Sequence, residues 1–437
     1  MDEQGRNKVN VTLVFSLLFF LVLLLLVTGR YHRSVAAFLG AFLTILFGLE
    51  YNLFTSQNIL NEILGFIDFN TVLLVLGIMI LAEAVAKTGF FEFIGLKIAK
   101  TVGGGFRRVS IAFIILTILF SVVLSNITTM IIIGALTVSL AKKFNADPTK
   151  TILYETMMSN VGGLTLMISS IPNLIVAAQL HIKFIDFLVV SLPLTAILSL
   201  VSMFIILRKT KRESSADQDV QVEVDPWSVV ENKNLFYRAA TVFVFVIILF
   251  VFEDFIPIPL GLIAIGGAIT MLVLGGQEPE SIFSGIDWGT IFFLSSFYIV
   301  VGGLIQSGVL TALAADVAQI LSFNPAIASL LNVWVCGLSS SVIDNIPMTL
   351  TLIPIMEHIS AVTGFSLKIL GWGIVFGANL GGNLTPIGSA SNIIALGILK
   401  KEGKSVGWRE WFNRFGPLVM LQLLLATAYV TLLSVML

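Results

Sequence analysis

Residues 379–392 read NLGGNLTPIGSASN, and residues 160–173 read NVGGLTLMISSIPN. Shifted by 219 residues, the two stretches share their asparagines, glycines and a serine: Asn160 with Asn379, Gly162 with Gly381, Gly163 with Gly382, Ser170 with Ser389 and Asn173 with Asn392. Both stretches lie inside apolar segments, where Gly and Pro allow a helix to unwind. The chain is therefore predicted to contain two copies of one membrane unit, each with a broken helix.

The match continues upstream at the same offset. Asn126 aligns with Asn345, and the further pairs are Ile67-Asp68 with Ile286-Asp287, Thr71 with Thr290, and Gly89 with Gly308. Unpaired polar groups are costly inside a bilayer. Asn and Gly shared at membrane depth therefore favour a function over neutral remnants of a duplication, and they indicate a transporter.

Composition excludes a soluble globular protein. Hydrophobic residues make up 57% of the 437 residues and charged residues 12%, with a mean hydropathy of +1.00. These values predict a multi-pass protein of the cell membrane. The first apolar run, residues 11–28, is followed by basic residues rather than a cleavage pattern, so it is predicted to be a retained span.

Several classes of chemistry are not expected. The single cysteine, Cys336, excludes internal disulfides and multi-thiol metal sites. The sequence has no Walker loop, so transport would be driven by a sodium or proton gradient or by a separate ATPase subunit. No clustered His, Cys or paired carboxylates indicate an enzyme. The expected partners are a small ion or molecule and the lipid bilayer, not nucleic acid.

Ten spans of about twenty residues are predicted, near 11–28, 35–49, 71–87, 151–180, 184–207, 237–252, 257–275, 288–307, 367–399 and 415–436. Two further apolar stretches, 109–142 and 324–360, are interrupted by Ser125-Asn126 and Asp344-Asn345. The pieces on either side are about fifteen residues long, too short for a core of about 30 Å at 1.5 Å per residue. They predict two re-entrant hairpins.

Charge predicts the orientation. Lys and Arg flank both ends of the first hairpin, whereas Asp316 and Glu357 flank the second, so the two hairpins enter from opposite sides. The predicted fold is an all-α polytopic membrane protein with two inverted-topology repeats of five spans. Its parts are 1–207 (spans 1–5, hairpin 109–142), a cytoplasmic linker at 208–236, and 237–437 (spans 6–10, hairpin 324–360). Residues 90–103 and 309–321 are predicted interfacial helices.

The polar breaks carry the predicted chemistry. Unwound backbone exposes carbonyls that can ligate a small cation, and a restarting helix presents its positive end to an anion. Two facing half-sites are therefore predicted near the midplane, with Na⁺ positions at Asn126/Gly162 and Asn345/Gly381. The predicted binding residues are Ser125, Asn126, Thr128, Thr129, Asn160, Gly162, Gly163, Ser170, Asn173, Asp344, Asn345, Thr349, Asn379, Gly381, Gly382, Asn383, Thr385, Ser389 and Asn392. The sequence leaves open that Gly and Pro only permit close packing or a kink.

Asp344 is the one carboxylate predicted at a hairpin tip, and its repeat mate is Ser125. An Asp at bilayer depth costs about 2.5–3.5 kcal/mol and usually faces a cavity with a partner. It is thus the candidate for a proton- or sodium-linked group, and otherwise caps the returning helix. Glu83 and Lys87, one turn apart, predict an internal ion pair. Cys336 is predicted to serve packing.

These residues resemble the ion-transporter superfamily with the citrate-transporter-like domain. Within it, the chain is most similar to arsenical-pump membrane proteins and their sodium/proton-antiporter and P-protein relatives. The motifs are residues 379–389, similar to the arsenite-permease pattern; Asp344-Asn345-Ile346-Pro347, similar to the antiporter and P-protein pattern; and Ser125-Asn126, similar to the Ser-Asn-Thr sodium motif of divalent-anion/sodium symporters, with Ile127 in place of Thr. Outside the linker, the resemblance covers nearly the whole chain.

The resemblance implies a scaffold domain, a moving transport domain and a homodimer. It also implies that Asn126 with Gly162-Gly163 forms one half-site, and Asn345 with Gly381-Gly382 the other. P-protein-like members carry an Asp before the prolines of the first broken helix, where this chain reads Ser169-Ser170-Ile171-Pro172-Asn173. Ser125 replaces an Asp of several antiporter-like members.

Neutral, hydroxyl-rich breaks suit a polar solute such as arsenous acid, or an anion held by helix N-termini. The leading hypothesis is secondary active transport of a small inorganic or organic anion or oxyanion, with arsenite as the leading substrate. The alternatives are a sodium/proton antiporter centred on Asp344, a sodium-coupled di- or tricarboxylate (citrate-like) transporter, and an ion channel built on the same hairpins.

Overall fold

The computed structural model describes residues 3–211, 225–321 and 325–436, and these fold into α-helices and short 3-10 turns with no strand among them. The predicted all-α polytopic fold is confirmed. The α-helices of this part of the chain are α1 Glu3–Thr28, α2 Arg33–Glu50, α3 Ile59–Phe66, α4 Phe69–Ala86, α5 Phe90–Val102, α6 Phe106–Ser121, α7 Asn126–Lys143, α8 Thr149–Gly162, α9 Ile171–Gln179, α10 Phe184–Lys211, α11 Lys233–Val251, α12 Leu260–Gly275, α13 Pro279–Gly285, α14 Trp288–Gln306, α15 Val309–Leu321, α16 Pro325–Ser340, α17 Asn345–Thr363, α18 Leu367–Gly381, α19 Ala390–Lys401 and α20 Trp408–Met436.

Eight helices of the described residues are long and apolar enough to cross a membrane. Seven of them, α1, α2, α4, α10, α11, α14 and α20, coincide with predicted spans. The predicted span at 257–275 is the shorter helix α12, of 16 residues. The predicted segments 151–180 and 367–399 are each divided into two helices, α8 with α9 and α18 with α19, so both predicted broken helices are present.

The hairpin arms differ in length from the prediction. The first arms, α6 and α16, have 16 residues each, but α7 has 18 and α17 has 19. The prediction of arms of about fifteen residues is therefore wrong for α7 and α17, and α17 is itself long and apolar enough to span. Helix α17 continues until Gly364, whose φ of +75° is the left-handed conformation that ends a helix and favours glycine. Re-entry of the hairpins stays a prediction.

The helix bounds recur at the offset seen in the sequence. The starts of α4, α5, α6, α7 and α9 and of α14, α15, α16, α17 and α19 are each 219 residues apart, and so are the ends of α8 and α18. Gly89 and Gly308, which precede α5 and α15, have φ of +76° and +75°. The inverted orientation of the copies and the interfacial position of α5 and α15 stay predictions. Most of the predicted linker, residues 212–224, lies outside the described residues, as does the side chain of Asp316.

The matched aspartates upstream are helix caps. Asp68 accepts hydrogen bonds from the Thr71 backbone N–H at 3.2 Å and hydroxyl at 2.5 Å, at the start of α4. Asp287 accepts the same two bonds from Thr290, at 3.1 and 2.6 Å, at the start of α14. Such a side chain satisfies backbone donors that the first helical turn leaves free. Two equivalent helices thus begin in the same way.

Long-range packing joins the halves of the chain. Helix α2 packs along α14, and α12 packs along α4, so each half supplies a partner for a long helix of the other. Within each half, the first hairpin arm packs on the helix that precedes the break, α6 on α8 and α16 on α18. Helix α19 packs on α7 and α8, and α9 packs on α17 and α18. The two broken helices therefore lie together, each flanked by a hairpin.

Candidate functional site

Each hairpin tip is closed by a cap at the start of its second arm. The Ser125 hydroxyl accepts from the Thr128 backbone N–H at 3.1 Å and lies 2.9 Å from the Thr128 hydroxyl. Asp344 Oδ1 accepts from the Ile346 backbone N–H at 3.2 Å. The capping role that the sequence left open for Asp344 is present, but it occupies only one of the two carboxylate oxygens.

The unwound segments are held by matched asparagines. Asn173 Nδ2 donates to the carbonyls of Gly163 and Leu166 at 2.8 and 2.9 Å. Asn392 Nδ2 donates to the equivalent carbonyls of Gly382 and Thr385, at 2.9 and 3.0 Å. Both asparagines are fully buried. They stabilise the non-helical backbone, and each uses one lone pair of the carbonyls that were predicted to ligate a cation.

Gly162 and Gly381 permit close packing against the first hairpin arms. A Cβ on Gly162 would lie 2.5 Å from the carbonyl oxygen of Ile118, and one on Gly381 would lie 2.0 Å from that of Gly337. Ile118 and Gly337 are themselves equivalent at the 219 offset. The packing interpretation that the sequence left open therefore applies to these two glycines, which support the site without facing a solute.

Hydroxyl groups tie each break to its own tip. Ser169 donates to the carbonyl of Val122, and Thr385 donates to the carbonyl of Ser341, both at 2.5 Å. Val122 and Ser341 are equivalent residues just before the two caps. Each hairpin tip is thus anchored to the broken helix of its own half.

Both tips and both breaks meet around a cavity of about 60 Å³ between the halves. Both halves line this central cavity, and most of its lining residues come in pairs at the 219 offset. They are Ser125, Asn126, Ile127, Ser170, Ile171 and Pro172 with Asp344, Asn345, Ile346, Ser389, Ala390 and Ser391, together with Ser169 and Arg33. The structure thus brings the predicted half-sites together.

Asn160 links the first tip to the second break. Its Oδ1 accepts from Asn126 Nδ2 at 2.7 Å and from the Ser389 hydroxyl at 3.1 Å. Its Nδ2 donates to Asn383 Oδ1 at 2.6 Å, and Asn383 Nδ2 donates to the Met157 carbonyl at 3.1 Å. This network of amides crosses between the halves behind the central cavity.

Other predicted residues lie behind the cavity. Asn379 Nδ2 donates to Asn173 Oδ1 at 2.9 Å and to the Val375 carbonyl at 2.8 Å, unlike its repeat mate Asn160. Thr349 donates to the Asn345 carbonyl at 2.8 Å, and the Thr129 side chain is buried. Asn379, Thr349 and Thr129 are absent from the lining of the central cavity, so the structure gives them a supporting position.

The first half-site presents unused oxygen atoms. Among the described residues, Asn126 Oδ1 and Ser170 Oγ are buried without a hydrogen-bond partner, and both residues line the central cavity. A Cβ on Gly163 would lie 2.7 Å from Asn126 Oδ1, so glycine there makes room for the amide. Leaving such a group unpaired costs about 1–3 kcal/mol. These oxygens fit a solute that donates hydrogen bonds, and they also fit a hard cation such as Na⁺, which prefers oxygen ligands.

Arg33, at the start of α2, is the site residue that the sequence analysis missed. Its Nη1 donates to Asp344 Oδ2 at 2.8 Å, and its Nη2 donates to Asp287 Oδ2 at 2.7 Å and to the Thr290 hydroxyl at 2.5 Å. The partner expected for an intramembrane Asp is therefore a guanidinium 311 residues away. Arg33 joins α2 and α14 to the second hairpin tip. Sequence alone gave no signal for the pairing beyond the need of Asp344 for a cation.

A second cavity, of about 410 Å³, adjoins the central one. The two share Ser125, Ile127, Ser169, Ser170 and Ile171, and the larger one extends along α4 past Thr128, Glu83, Lys87 and Glu92. Glu83 Oε1 lies 3.7 Å from Lys87 Nζ, so the predicted ion pair is present on the wall of this cavity. The larger cavity extends from the residues that it shares with the central cavity to the end of α4, the end that charge predicts to be cytoplasmic.

Cys336 lies away from the site. Its fully buried thiol donates to the Ile374 carbonyl at 3.5 Å on α18, as a packing residue does. The described residues contain no group of His, Cys, Asp and Glu side chains that could hold a metal ion.

Comparisons with known proteins agree with this arrangement. The family model described as a citrate transporter (CitMHS) matches residues 23–377. An uncharacterized transporter of Mycobacterium tuberculosis is 28% identical over 410 residues, 93% of this chain and 94% of that protein. One of Synechocystis is also 28% identical, over 96% of this chain and 97% of that protein. The P protein of Mus musculus is 27% identical over 91% of this chain and 57% of its own length.

Two solved structures share the fold. The YdaH transporter of Alcanivorax borkumensis superposes with a TM-score of 0.62 at 12% identity, over 88% of both chains. MtrF of Neisseria gonorrhoeae, from a class of antimetabolite efflux pumps, gives a TM-score of 0.61 at 12% identity, over 86% of this chain and 83% of that one. At this level of identity, the likeness concerns the fold alone.

Proposed function

The chain belongs to the citrate transporter family, and from that premise we propose that it is a secondary active transporter of the plasma membrane that carries a small oxyanion or its neutral acid, with arsenite as the leading substrate. The observation that carries this proposal is the central cavity of about 60 Å³, lined by both hairpin tips and both broken helices. A solute bound there contacts both halves of the chain, as alternating access between two half-sites requires.

The size of the central cavity selects among solutes. A water-sized group needs about 10–15 Å³ of such volume, so the cavity holds roughly four to six of them. Arsenous acid, As(OH)₃, is of that size. Citrate, with its longer carbon chain and several carboxylates, exceeds it and fits only the adjoining cavity of about 410 Å³.

The chemistry of the lining points the same way. Asn126 and Ser170 offer buried oxygens that can accept hydrogen bonds from hydroxyl groups. The charged groups, Arg33 with Asp287 and Asp344, leave one negative charge in excess, which disfavours a multivalent anion. A neutral, hydroxylated solute satisfies the free oxygens without adding charge.

Flux measurements in proteoliposomes test the proposal. Purified protein would be assayed with arsenite, antimonite, citrate, succinate and sulfate under imposed proton or sodium gradients. We expect gradient-driven movement of arsenite and antimonite and none of citrate. Gradient-driven citrate or succinate transport without arsenite transport would establish the carboxylate alternative instead, and single-channel currents without uphill accumulation would establish a channel.

A matched pair of asparagine variants connects the flux to the cavity. Asn126→Ala removes an amide that lines the central cavity, so we expect it to abolish arsenite flux. Asn332→Ala removes a buried amide on α16 that donates to the Leu370 carbonyl at 2.5 Å, away from the cavity. Per folded protein, measured by size-exclusion chromatography, Asn332→Ala should transport at a rate close to the unmodified chain. Equal losses in both variants would argue against the cavity as the binding site.

Sodium/proton exchange centred on Asp344 is the second candidate. It is favoured by the excess of one carboxylate over guanidinium and by the position of Asp344 on the cavity wall. Asp344→Asn separates the two candidates in a vesicle assay of pH-dependent sodium flux. Exchange would be lost if Asp344 carries the ion, whereas arsenite efflux should persist if the neutral lining binds the substrate.

A further inference from the structure

Glu155 is a carboxyl group in the interior of the transmembrane bundle that the proposed binding site does not use. It lies in α8, and its side chain is fully buried. Oε1 accepts a hydrogen bond from the Thr137 hydroxyl on α7 at 2.5 Å. Oε2 is buried with no hydrogen-bond partner among the described residues.

Charged groups of the neighbouring helices do not compensate this carboxyl. Helices α6, α7, α10, α18 and α19 pack against α8. Phe415 of α20 also contacts Tyr154, the residue before Glu155, with ring centroids 6.1 Å apart, and α8 itself carries one lysine. The charged residues of these helices lie at helix ends: Arg107 and Arg108 on α6, Lys142 and Lys143 on α7, Lys150 on α8, Asp186, Arg208, Lys209 and Lys211 on α10, Lys368 on α18, Lys400 and Lys401 on α19, and Arg409, Glu410 and Arg414 in the first two turns of α20, where Glu410 and Arg414 pair with each other. Among the ion pairs of the described side chains, none involves Glu155.

Burial with one hydroxyl donor and no cation favours the neutral acid over the anion. We propose that Glu155 is a proton-binding site of the transport cycle, occupied by a proton in this conformation and emptied in another. The carboxylate takes one proton from water to form the O–H bond of the acid, and it returns that proton to water when the bond breaks. This inference rests on the proposed transport function and names the proton as its coupling ion.

On one side, a surface depression approaches Glu155. A surface depression of about 340 Å³ is lined by Val138 and Ala141 of α7 and by the polar residues Asp147, Glu402 and Lys404. Ala141 lies one helical turn from Thr137, so the depression reaches to about one turn from the Glu155 carboxyl.

Along α8, the residues that follow Glu155 approach the central cavity. Ser159 lies one turn further along the same face of α8, fully buried, and donates to the Thr156 carbonyl at 2.8 Å. Asn160, the next residue, belongs to the amide network behind the central cavity. Because Thr137 is on a hairpin arm and Glu155 on a broken helix, a shift between α7 and α8 changes the one hydrogen bond that this carboxyl makes with the described residues. Proton binding is thereby linked to hairpin movement.

The test uses Glu155→Gln, which keeps an acceptor for Thr137 and mimics the protonated side chain. In proteoliposomes, we expect this variant to lose arsenite accumulation driven by a pH gradient, down to the level seen without a gradient, while it retains counterflow of arsenite between equal pH. The control is Glu410→Gln, which removes a half-exposed carboxylate paired with Arg414 at 3.2 Å and should accumulate arsenite normally. Unchanged gradient-driven accumulation in Glu155→Gln would overturn the proton site.

A second measurement does not depend on any substrate. Infrared difference spectra of the full-length chain minus Glu155→Gln should contain the carbonyl stretch of a protonated carboxyl at neutral pH, and Thr137→Val should move the pH midpoint of that band. A carboxylate band in its place, or an unchanged midpoint, would overturn the assignment even if Glu155→Gln folds poorly. If no solute of the panel is transported while the protonated band is present, the proposed substrate fails and the proton site stands.

Discussion

Removing the Arg33 guanidinium should destabilise the fold more than removing either carboxylate that it binds. Arg33→Gln leaves Asp287 and Asp344 facing each other without a cation. Asp344→Asn leaves Arg33 still paired with Asp287. The expected order of destabilisation therefore follows from which charges each substitution leaves unpaired.

The magnitude follows from partial burial. The side chains of Arg33, Asp287 and Asp344 are 20%, 33% and 28% exposed. Their burial is intermediate between that of exposed ion pairs, which contribute about 0–1 kcal/mol, and that of fully buried pairs, where loss of one partner costs about 3–5 kcal/mol. We expect the free energy of unfolding to fall by about 2–4 kcal/mol for Arg33→Gln and about 1–2 kcal/mol for Asp344→Asn.

Cys336 supplies the assay. It is the single cysteine of the chain and is fully buried, so its reaction with a thiol-reactive fluorophore reports unfolding in detergent without an introduced cysteine. Denaturation curves of Arg33→Gln, Asp344→Asn and the double variant form a cycle. Arg414→Gln, which breaks a pair within one helix at 3.2 Å, is the control and should cost under about 1 kcal/mol.

The double variant distinguishes the explanation from a general packing loss. When residue 344 is Asn, removing Arg33 leaves only Asp287 without a partner. The sum of the stability losses of the two single variants should therefore exceed the loss of the double variant by about 0.5–3 kcal/mol. Additive effects, or Arg33→Gln no more destabilising than Asp344→Asn, would refute the claim that the guanidinium stabilises the second hairpin tip by charge.

Further outcomes concern packing and pH. Gly381→Ala places a Cβ 2.0 Å from the Gly337 carbonyl oxygen and should destabilise the fold by about 1–3 kcal/mol in the same thiol assay. Gly397 has open space around it, so Gly397→Ala should be neutral or should stabilise the fold by up to about 1 kcal/mol. Burial raises the pKa of the Asp147 carboxyl, but hydrogen bonds from the Thr149 hydroxyl and N–H, with a nearby lysine, outweigh it and set that pKa below its ordinary value. Asp147 therefore contributes stability above its unfolded pKa that is lost as pH falls through the folded pKa, so Asp147→Asn should lower the melting temperature at neutral pH and match the unmodified chain in acid.

Sequence reasoning located the elements that depend on local chemistry. The Gly-Gly and Pro residues of the two repeated stretches predicted the breaks, and the polar pairs Ser125-Asn126 and Asp344-Asn345 predicted the tips. These signals are local, because unwinding and capping depend on residues within one or two turns. The length of α17 was not predicted, because the helix continues past the polar residues Glu357 and His358 to Gly364, and the residues of the tip do not indicate that end.

The tertiary pairings could not be predicted in the same way. Arg33 meets Asp344 only because α2 packs on α14, and no local pattern encodes that contact. Glu155 is different, because its signal was present in the sequence: a carboxylate inside a predicted span indicates a functional group by default. The repeat does not mark this carboxylate, since the equivalent position in the second half is the apolar Ile374.

Residues that are identical in the two halves have a different role from residues that differ between them. The identical pairs Gly162 with Gly381 and Asn173 with Asn392 make the same contacts twice, and those contacts hold backbone. Charge at the tips appears on one side only, where Asp344 replaces Ser125 and attracts Arg33. In the proposed transporter, a hydroxylated solute would meet unpaired oxygens at the neutral first half-site and an ion pair at the charged second one. Exchanging the tips, with Ser125→Asp and Asp344→Ser together, should impair transport, because the new carboxylate would lie in the same cavity lining as the free oxygens of Asn126 and Ser170. Full arsenite flux in that double variant would show that the backbone frame alone, and not the placement of charge, sets the specificity of the site.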